Sequence, residues 1–218
     1  MAAVQYTLEQ CGRLDILING AAGNFLAEAK DLRPKGFKTV LEIDAMGTYN
    51  MCYAAYKGLA ESKGCVINIS ATLQYGATWY QVHASAAKSA IDSLTRTLGL
   101  EWGHYGIRVN GIAPGPIADT PGMAKLAPGL DGEAIQEMIA EGIPIGRMGK
   151  GFDIGMAAVF LSCDSSGGFI TGDTLVVDGG EWLYKPPMVP REMVSELSRS
   201  VEKKSRDMRP SGNVRSKL

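Results

Sequence analysis

Two charged residues lie in apolar surroundings where ordinary packing would not call for them. Lys88 lies in HASAAKSA, residues 83–90, a row of small residues that predicts the start of a helix. A helix dipole favours anions at that end, so the helix itself gives no reason for an ammonium there. Ala84, Ala87 and Ala90 leave room beside the backbone for a ligand carrying hydroxyls. The plainer reading is a solvent-facing lysine among alanines chosen for helix propensity. Asp44 lies in EIDAMG, within a largely apolar helical segment. It is either a carboxylate turned into a cleft, where it could position a water or a lysine for proton transfer, or a wet-face charge capping a break before Gly47.

The elements that must carry these residues alternate in type. Residues 2–11 read as a helix, and DILI (15–18) as a short buried strand ending in the small residues Asn19 to Gly23. Helical periodicity covers 33–62, CVINI (65–69) is a second strand, and 84–102 a long helix. IRVNGI (107–112), further helices at 133–140 and 153–162, and TLVV (174–177) complete the pattern. Apolar strands alternating with helices predict an α/β fold around a parallel sheet, joined by right-handed crossovers. Asn19, Ser70 and the loop after Ile112 then share the rim where such sheets bind ligands.

On that rim, Asn24 and Phe25 follow the first strand's turn, where an aromatic suits an apolar or planar substrate, or is loop filler. In APGPIADT, residues 113–120, the prolines fix the backbone and Gly115 lets it pass close to a ligand. Thr120 can donate to a phosphate or amide. His83 and His104 are isolated, no cluster has metal spacing, and no serine sits in a G-x-S-x-G elbow.

Composition bounds the rest. With 45% hydrophobic and 21% charged residues among 218, the chain suits one globular domain. A net charge of −1 gives no electrostatic reason to expect nucleic acid. The charge is uneven: residues 185–218 carry 9 basic against 4 acidic side chains, a basic tail outside the 1–184 domain. The tail ends in Ser216, Lys217 and Leu218, a peroxisomal address read by an import receptor. Cys11, Cys52, Cys65 and Cys163 form no pair motif and read as buried thiols of a reducing compartment. No apolar run is long enough to span a membrane, and the N-terminus lacks a secretory signal's basic start.

The stretches LDILINGAAGNF, VINISATL, HASAAKSAIDSLTRTLGLEWGHYGIRVNGIAPGPI and FITGDTLVVDGG together resemble the short-chain dehydrogenase/reductase family, from residue 2 to about 184. Within it, NGAAGNF, Asp44 and HASAAK are most similar to the peroxisomal 2,4-dienoyl-CoA reductases. The resemblance implies NADPH-dependent reduction of 2,4-dienoyl-CoA to 3-enoyl-CoA in unsaturated fatty acid β-oxidation. Lys88 would hold the cofactor's ribose hydroxyls, and Asp44 would orient Lys88 and a proton-delivering water. Asn19 and the segment Pro114, Gly115, Pro116, Ile117, Ala118, Asp119 and Thr120 would line NADPH. Phe25, Arg33, Pro34, Lys35 and Lys125 would meet the acyl-CoA substrate, whose phosphates favour basic groups. The helix at 84–102 would join subunits of a homo-oligomer.

The departures are informative. Ala84 stands where the family's tyrosine proton donor sits, Ala71 at the serine position, and Asp44 at the central-helix asparagine. A missing tyrosine argues against ketone or alcohol chemistry. No G-x-G-x-x-G turn precedes the first strand. The expectation is therefore a partial Rossmann-like, doubly wound sheet with about four of the family's seven strands, an uncovered apolar edge at DILI, and poor folding or inactivity if made alone. Two alternatives stand beside this reading: another acyl-CoA or carbonyl reductase of the family, or an inactive fragment that keeps only its subunit-association surface.

Overall fold

A computed structural model describes residues 2–126 and 132–207. In the unit ending at Tyr184, helix α1 (Ala2–Cys11) leads into β1 (Ile16–Asn19). Next come α2 (Pro34–Leu41), a π-helical turn (Glu42–Met46) and α3 (Gly47–Ser62). Strand β2 (Cys65–Ile69) feeds α4 (Val82–Trp102), and β3 (Arg108–Pro114) follows. Helices α5 (Pro121–Leu126), α6 (Gly132–Glu141), α7 (Gly151–Ser162) and α8 (Asp164–Gly167) precede β4 (Thr174–Val177). No helix among the described residues is long and apolar enough to cross a membrane.

The four strands are parallel and stand side by side in chain order, β1-β2-β3-β4. All their C-terminal ends therefore lie on one rim, as the sequence predicts. Side chains alternate across the pleat. Leu17, Val66 and Val109 face one side, where Val4, Cys52, Ala55, Leu59 and Leu98 from α1, α3 and α4 close the larger core. Ile67 and Ile112 face the other, under Ile154, Ala157, Ala158 and Leu161 of α7. The central strands β2 and β3 are thus covered on both faces, and apolar strand residues are what that burial requires.

One expectation needs correction. The β1-to-β2 and β2-to-β3 connections run over the α3/α4 face, whereas α7, between β3 and β4, lies on the opposite face. Every step moves in the same direction along the sheet, so this last crossover has the opposite hand to the first two. The right-handed rule therefore fails there, because α7 is apolar along most of its length and packs across β2, β3 and β4 at once.

Two other expectations change at the surface. Cys52 and Cys65 are buried, but Cys11 and Cys163 are exposed, because they end α1 and α7. Ile16 and Ile18 point to the α7 face, yet α7 stops short of β1, leaving them 45% and 55% exposed. The second unit begins at Lys185. Described by itself, it contains α9 (Arg191–Asp207), with Val194, Leu197 and Val201 exposed at helical spacing. The terminal Ser216, Lys217 and Leu218 lie outside the described residues.

Candidate functional site

Lys88 and Asp44 meet at the sheet's rim. The Lys88 Nζ lies 3.2 Å from Asp44 Oδ2, and the lysine also donates to the carbonyl oxygen of Ile69 at 3.1 Å. The other carboxylate oxygen, Oδ1, accepts the Gly23 backbone N–H at 2.7 Å. Four pieces of chain are tied together here: the loop after β1, the π turn, the end of β2, and α4. Asp44 is 1% and Lys88 7% exposed. Removing either partner of such a pair would leave the other charge buried and uncompensated.

The local fold explains how Asp44 reaches inward. Residues 34–62 form one continuous helical run, and the break expected near Gly47 is instead the π turn at Glu42–Met46. The extra residue in that turn rotates the following side chains relative to an α-helical register, and such bulges are frequent at functional sites. Here it buries Asp44 among apolar neighbours while Glu42 stays at the surface beside Lys38. The wet-face alternative for Asp44 is thereby excluded, and so is a solvent-facing Lys88.

An ammonium has three N–H donors. One is donated to the Ile69 carbonyl, and Asp44 holds the ammonium by charge at 3.2 Å, which leaves donor capacity for a ligand. Asp44 Oδ2 touches the lysine as an ion pair but has no aligned hydrogen bond. The pair therefore retains a donor and an acceptor, which suits a group bearing vicinal hydroxyls such as a ribose. These are properties of the residues present, and they fit a nicotinamide nucleotide.

No hydroxyl occupies the place one turn before Lys88: Ala84 is there, buried in the helix packing. Ser70 is engaged elsewhere, donating to Asp92 Oδ1 at 2.5 Å, while the amide of Gln74 bonds Asp92 Oδ2 at 2.7 Å. Tyr75 packs edge-on against Trp182, and burial together with the nearby Asp92 pushes its phenol up to about 12. A phenol held there is a poor acid at neutral pH. Tyr80 packs on Trp79 in a left-handed backbone conformation, φ +64°.

The remaining candidates are scattered. The Asn19 side chain is turned into the α3/α4 face, donating to Asn68 Oδ1 at 2.9 Å and to Cys52 Sγ at 3.3 Å. Asn68 in turn donates to Thr95. These bonds hold β1, β2 and α4 in register, so only the Asn19 backbone is available at the rim. Pro114, Gly115, Pro116, Ile117 and Ala118 run along the rim half-buried, and Asp119 turns the chain at φ +58°. Thr120 caps α5, its hydroxyl donating to Ile117 O and accepting from Met123 N. Gly115 was expected to allow close approach to a ligand. The close approach is to the chain itself, since a Cβ there would lie 2.7 Å from Asp178 Cβ.

Phe25 lies over the start of α4, and its backbone N–H donates to Asn24 Oδ1. The Asn24 amide donates to Gln81 Oε1, which pins this loop to the residue preceding α4. Arg33, Pro34 and Lys35 open α2 and are exposed. Lys125 falls in α5, with its side chain outside the described residues. A cleft of about 610 Å³ opens between Ala27–Ala29 and Ala77–Val82, walled by Trp79 and Tyr80. It adjoins the start of α4 through Gln81 and Val82, although Lys88 and Asp44 are not in its wall.

Sequence reasoning missed His83, which it left isolated. The fold buries it completely and stacks it on Phe25, ring centroids 4.3 Å apart. It also missed the Gly23 N–H and the Ile69 carbonyl, because backbone groups carry no signature in residue type. Among the described residues, no group of three or more His, Cys, Asp or Glu side chains could hold a metal ion.

Comparison with known proteins gives this geometry its context. The family model described as enoyl-(acyl carrier protein) reductase matches residues 1–181. An Arabidopsis thaliana protein named peroxisomal 2,4-dienoyl-CoA reductase, (3E)-enoyl-CoA-producing, is 56% identical, covering 99% of this chain and 74% of its own length. A Danio rerio protein of the same name is 45% identical over 93% of this chain and 66% of its own. The chain therefore spans about two thirds to three quarters of the length of these relatives. The crystal structure of a short chain dehydrogenase from Bacillus anthracis superposes with a TM-score of 0.73 at 36% identity, covering 85% of this chain and 71% of that one.

Proposed function

Because the chain belongs to the short-chain dehydrogenase/reductase family, we propose that the intact protein reduces 2,4-dienoyl-CoA thioesters to 3-enoyl-CoA with NADPH. The observation that carries this reading is the buried Lys88–Asp44 contact of 3.2 Å combined with an alanine at position 84. Ketone reduction needs an acid that hands a proton to the carbonyl oxygen. Among the described residues, this site offers no phenol or hydroxyl for that task beside Lys88. A dienoyl thioester has no such requirement. Hydride arrives at the δ carbon, charge collects as a dienolate on the thioester oxygen, and a proton is then delivered to the α carbon.

NADPH, when bound, supplies the hydride. The protein's share is positional and electrostatic. Lys88, held by the Asp44 charge and by Ile69 O, would offer a free N–H to the ribose hydroxyls and keeps a positive charge near the developing oxyanion. In a site of low dielectric such a charge is worth more than in water. Asp44 orients the lysine and keeps one oxygen for a water. The backbone of Asn19 and the segment Pro114–Thr120 line the cofactor in this reading. Phe25, Arg33, Pro34, Lys35 and Lys125 meet the acyl-CoA, and the cleft beside Gln81 has the size and apolar walls for part of an acyl chain.

Two wider elements belong to the same proposal. The protein is delivered to the peroxisome by an import receptor that reads Ser216, Lys217 and Leu218, in keeping with its relatives' names. It self-associates; support comes from the exposed Phe152, Met156, Val159 and Phe160 of α7, an apolar face of the kind that subunits cover. The test of the chemistry is to compare a 2,4-dienoyl-CoA with a 3-ketoacyl-CoA as oxidants of NADPH in the intact protein. Dienoyl turnover with 3-enoyl product supports the reading, and ketone turnover without it refutes the reading.

A further inference from the structure

Asp92 carries a carboxylate that is 5% exposed, and among the described residues no cation pairs with it. An ionised group kept from water without a counter-ion is costly, so its presence calls for a physical reason. It lies on α4 one turn beyond Lys88, and residues four apart share a helix face. Both side chains reach the end of β2. Lys88 Nζ donates to the carbonyl oxygen of Ile69 at 3.1 Å, and the next residue, Ser70, donates its hydroxyl to Asp92 Oδ1 at 2.5 Å.

The second carboxylate oxygen, Oδ2, accepts the side-chain amide of Gln74 at 2.7 Å, and the same NH2 group bonds Ala71 O at 2.8 Å. Gln74 Oε1 is left buried without a partner. Turning the amide over would set that oxygen against the carboxylate, so the orphan is what an anion at position 92 imposes. The segment 70–74 is thus wrapped around one carboxylate. On its other side the Ser70 backbone N–H donates to Ile112 O of β3 at 2.7 Å, which anchors the same residue to the sheet.

We infer that Asp92 is a positioning residue for Lys88. Its carboxylate holds Ser70 and Gln74, that grip fixes the peptide joining Ile69 to Ser70, and the Ile69 carbonyl then meets the lysine ammonium. Asp44 supplies the ammonium's charge partner at 3.2 Å, and Ile69 O supplies its hydrogen-bond acceptor. The two contacts come from different elements, the π turn and β2. Together they set where the end of the lysine lies, which a single charge partner does not. What Lys88 then does for a bound nucleotide rests on the proposed function, whereas the clamp on Ile69 does not.

The experiment has two arms, both in the intact protein, with circular dichroism to show that each variant is folded. Ile69–Ser70 is the single Ile–Ser step in this sequence, so carbonyl carbon-13 isoleucine with nitrogen-15 serine marks that peptide by NMR. Asp92→Leu is expected to shift its carbonyl signal in the same direction as Lys88→Met, since both break the Lys88–Ile69 hydrogen bond. A signal that stays, or moves the other way, overturns the inference whatever reaction the protein performs. In the second arm, fluorescence titration gives the NADPH affinity of the wild type, both single variants and the double variant. Asp92→Leu is expected to weaken binding roughly tenfold, the scale of one lost hydrogen bond to a charged group, and to add little in the Lys88→Met background. Fully additive losses would mean that Asp92 acts apart from the lysine, as a purely structural group does, and would overturn the inference. A shifted carbonyl in a protein whose wild type binds no NADPH supports the clamp and refutes the proposed function instead. Asp92→Asn keeps an acceptor and is expected to fall between wild type and Asp92→Leu on both readouts. It carries the test should Asp92→Leu not fold, and wild-type values in it would then contradict the inference.

Discussion

Lys88 Nζ and Asp44 Oδ2 lie 3.2 Å apart in the interior of the protein, joined from α4 to a π-helical turn 44 residues earlier in the chain. The contact has a thermodynamic consequence apart from any chemistry. Removing one charge leaves the other buried and unpaired, which costs about 3–5 kcal/mol. Lys88→Met and Asp44→Asn are each expected to lower the unfolding free energy by that order. The double variant loses less than the sum, since neither charge is then stranded. Denaturant unfolding of the four proteins measures the coupling; additive losses would mean that the pair is not coupled.

Ala84 is packed inside α4 at 2% exposure. Restoring a tyrosine there would insert a ring into filled space. Ala84→Tyr is expected to cost at least about 1–3 kcal/mol and to confer no ketone reduction. Thermal melts and a 3-ketoacyl-CoA assay check both halves.

The thiols divide by burial. Desolvation pushes Cys52 up to about 11, despite a hydrogen bond from Asn19, and pushes Cys65 up as well. Cys163 is exposed, and a hydrogen bond with Ser165 lowers its pKa. The thiolate is the reactive form. Brief alkylation of the native protein is expected to label Cys163 and Cys11 and spare Cys52 and Cys65, as read by peptide mass spectrometry.

Asp153 sits in the first turn of α7, accepting from Arg147 and from the backbone N–H of Lys150. The Arg147 hydrogen bond, followed by that of Lys150, lowers its pKa from 3.8 to about 2. A carboxyl whose folded pKa is depressed stabilises the fold above its unfolded value and loses that contribution as pH falls through the folded one. Asp153→Asn is therefore expected to lower the melting temperature at neutral pH, with the difference from wild type shrinking between pH 3.8 and about 2. A constant difference across that range would show that the charge is not what matters.

How much of this was legible in the residues depends on the range of the interaction. CVINI and TLVV become strands at the predicted bounds, the first buried along most of its length and the second half-buried, because short apolar, β-branched runs between turn residues admit little else. The helix carrying Lys88 was also predictable, beginning at Val82 rather than residue 84. The π turn was not, since EIDAMG has no local feature separating an α from a π register. Asp44 could be read as wet or buried from its neighbours, and only packing against α4 decides between them. His83 was opaque for the same reason: its partner Phe25 is 58 positions away and meets it only through tertiary structure. The two exposed cysteines show the reverse case, where residue type suggested burial and the ends of helices prevailed.

The most direct measurement of the central claim is the rate of NADPH oxidation by a 2,4-dienoyl-CoA in the intact protein and in its Lys88→Ala and Asp44→Ala forms, with circular dichroism to show that each is folded. The account predicts turnover to 3-enoyl-CoA in the wild type and a loss of roughly a hundredfold or more in kcat/KM in each folded variant, the scale of a lost electrostatic or proton-transfer group. Turnover within a few-fold of wild type in either folded variant would contradict it.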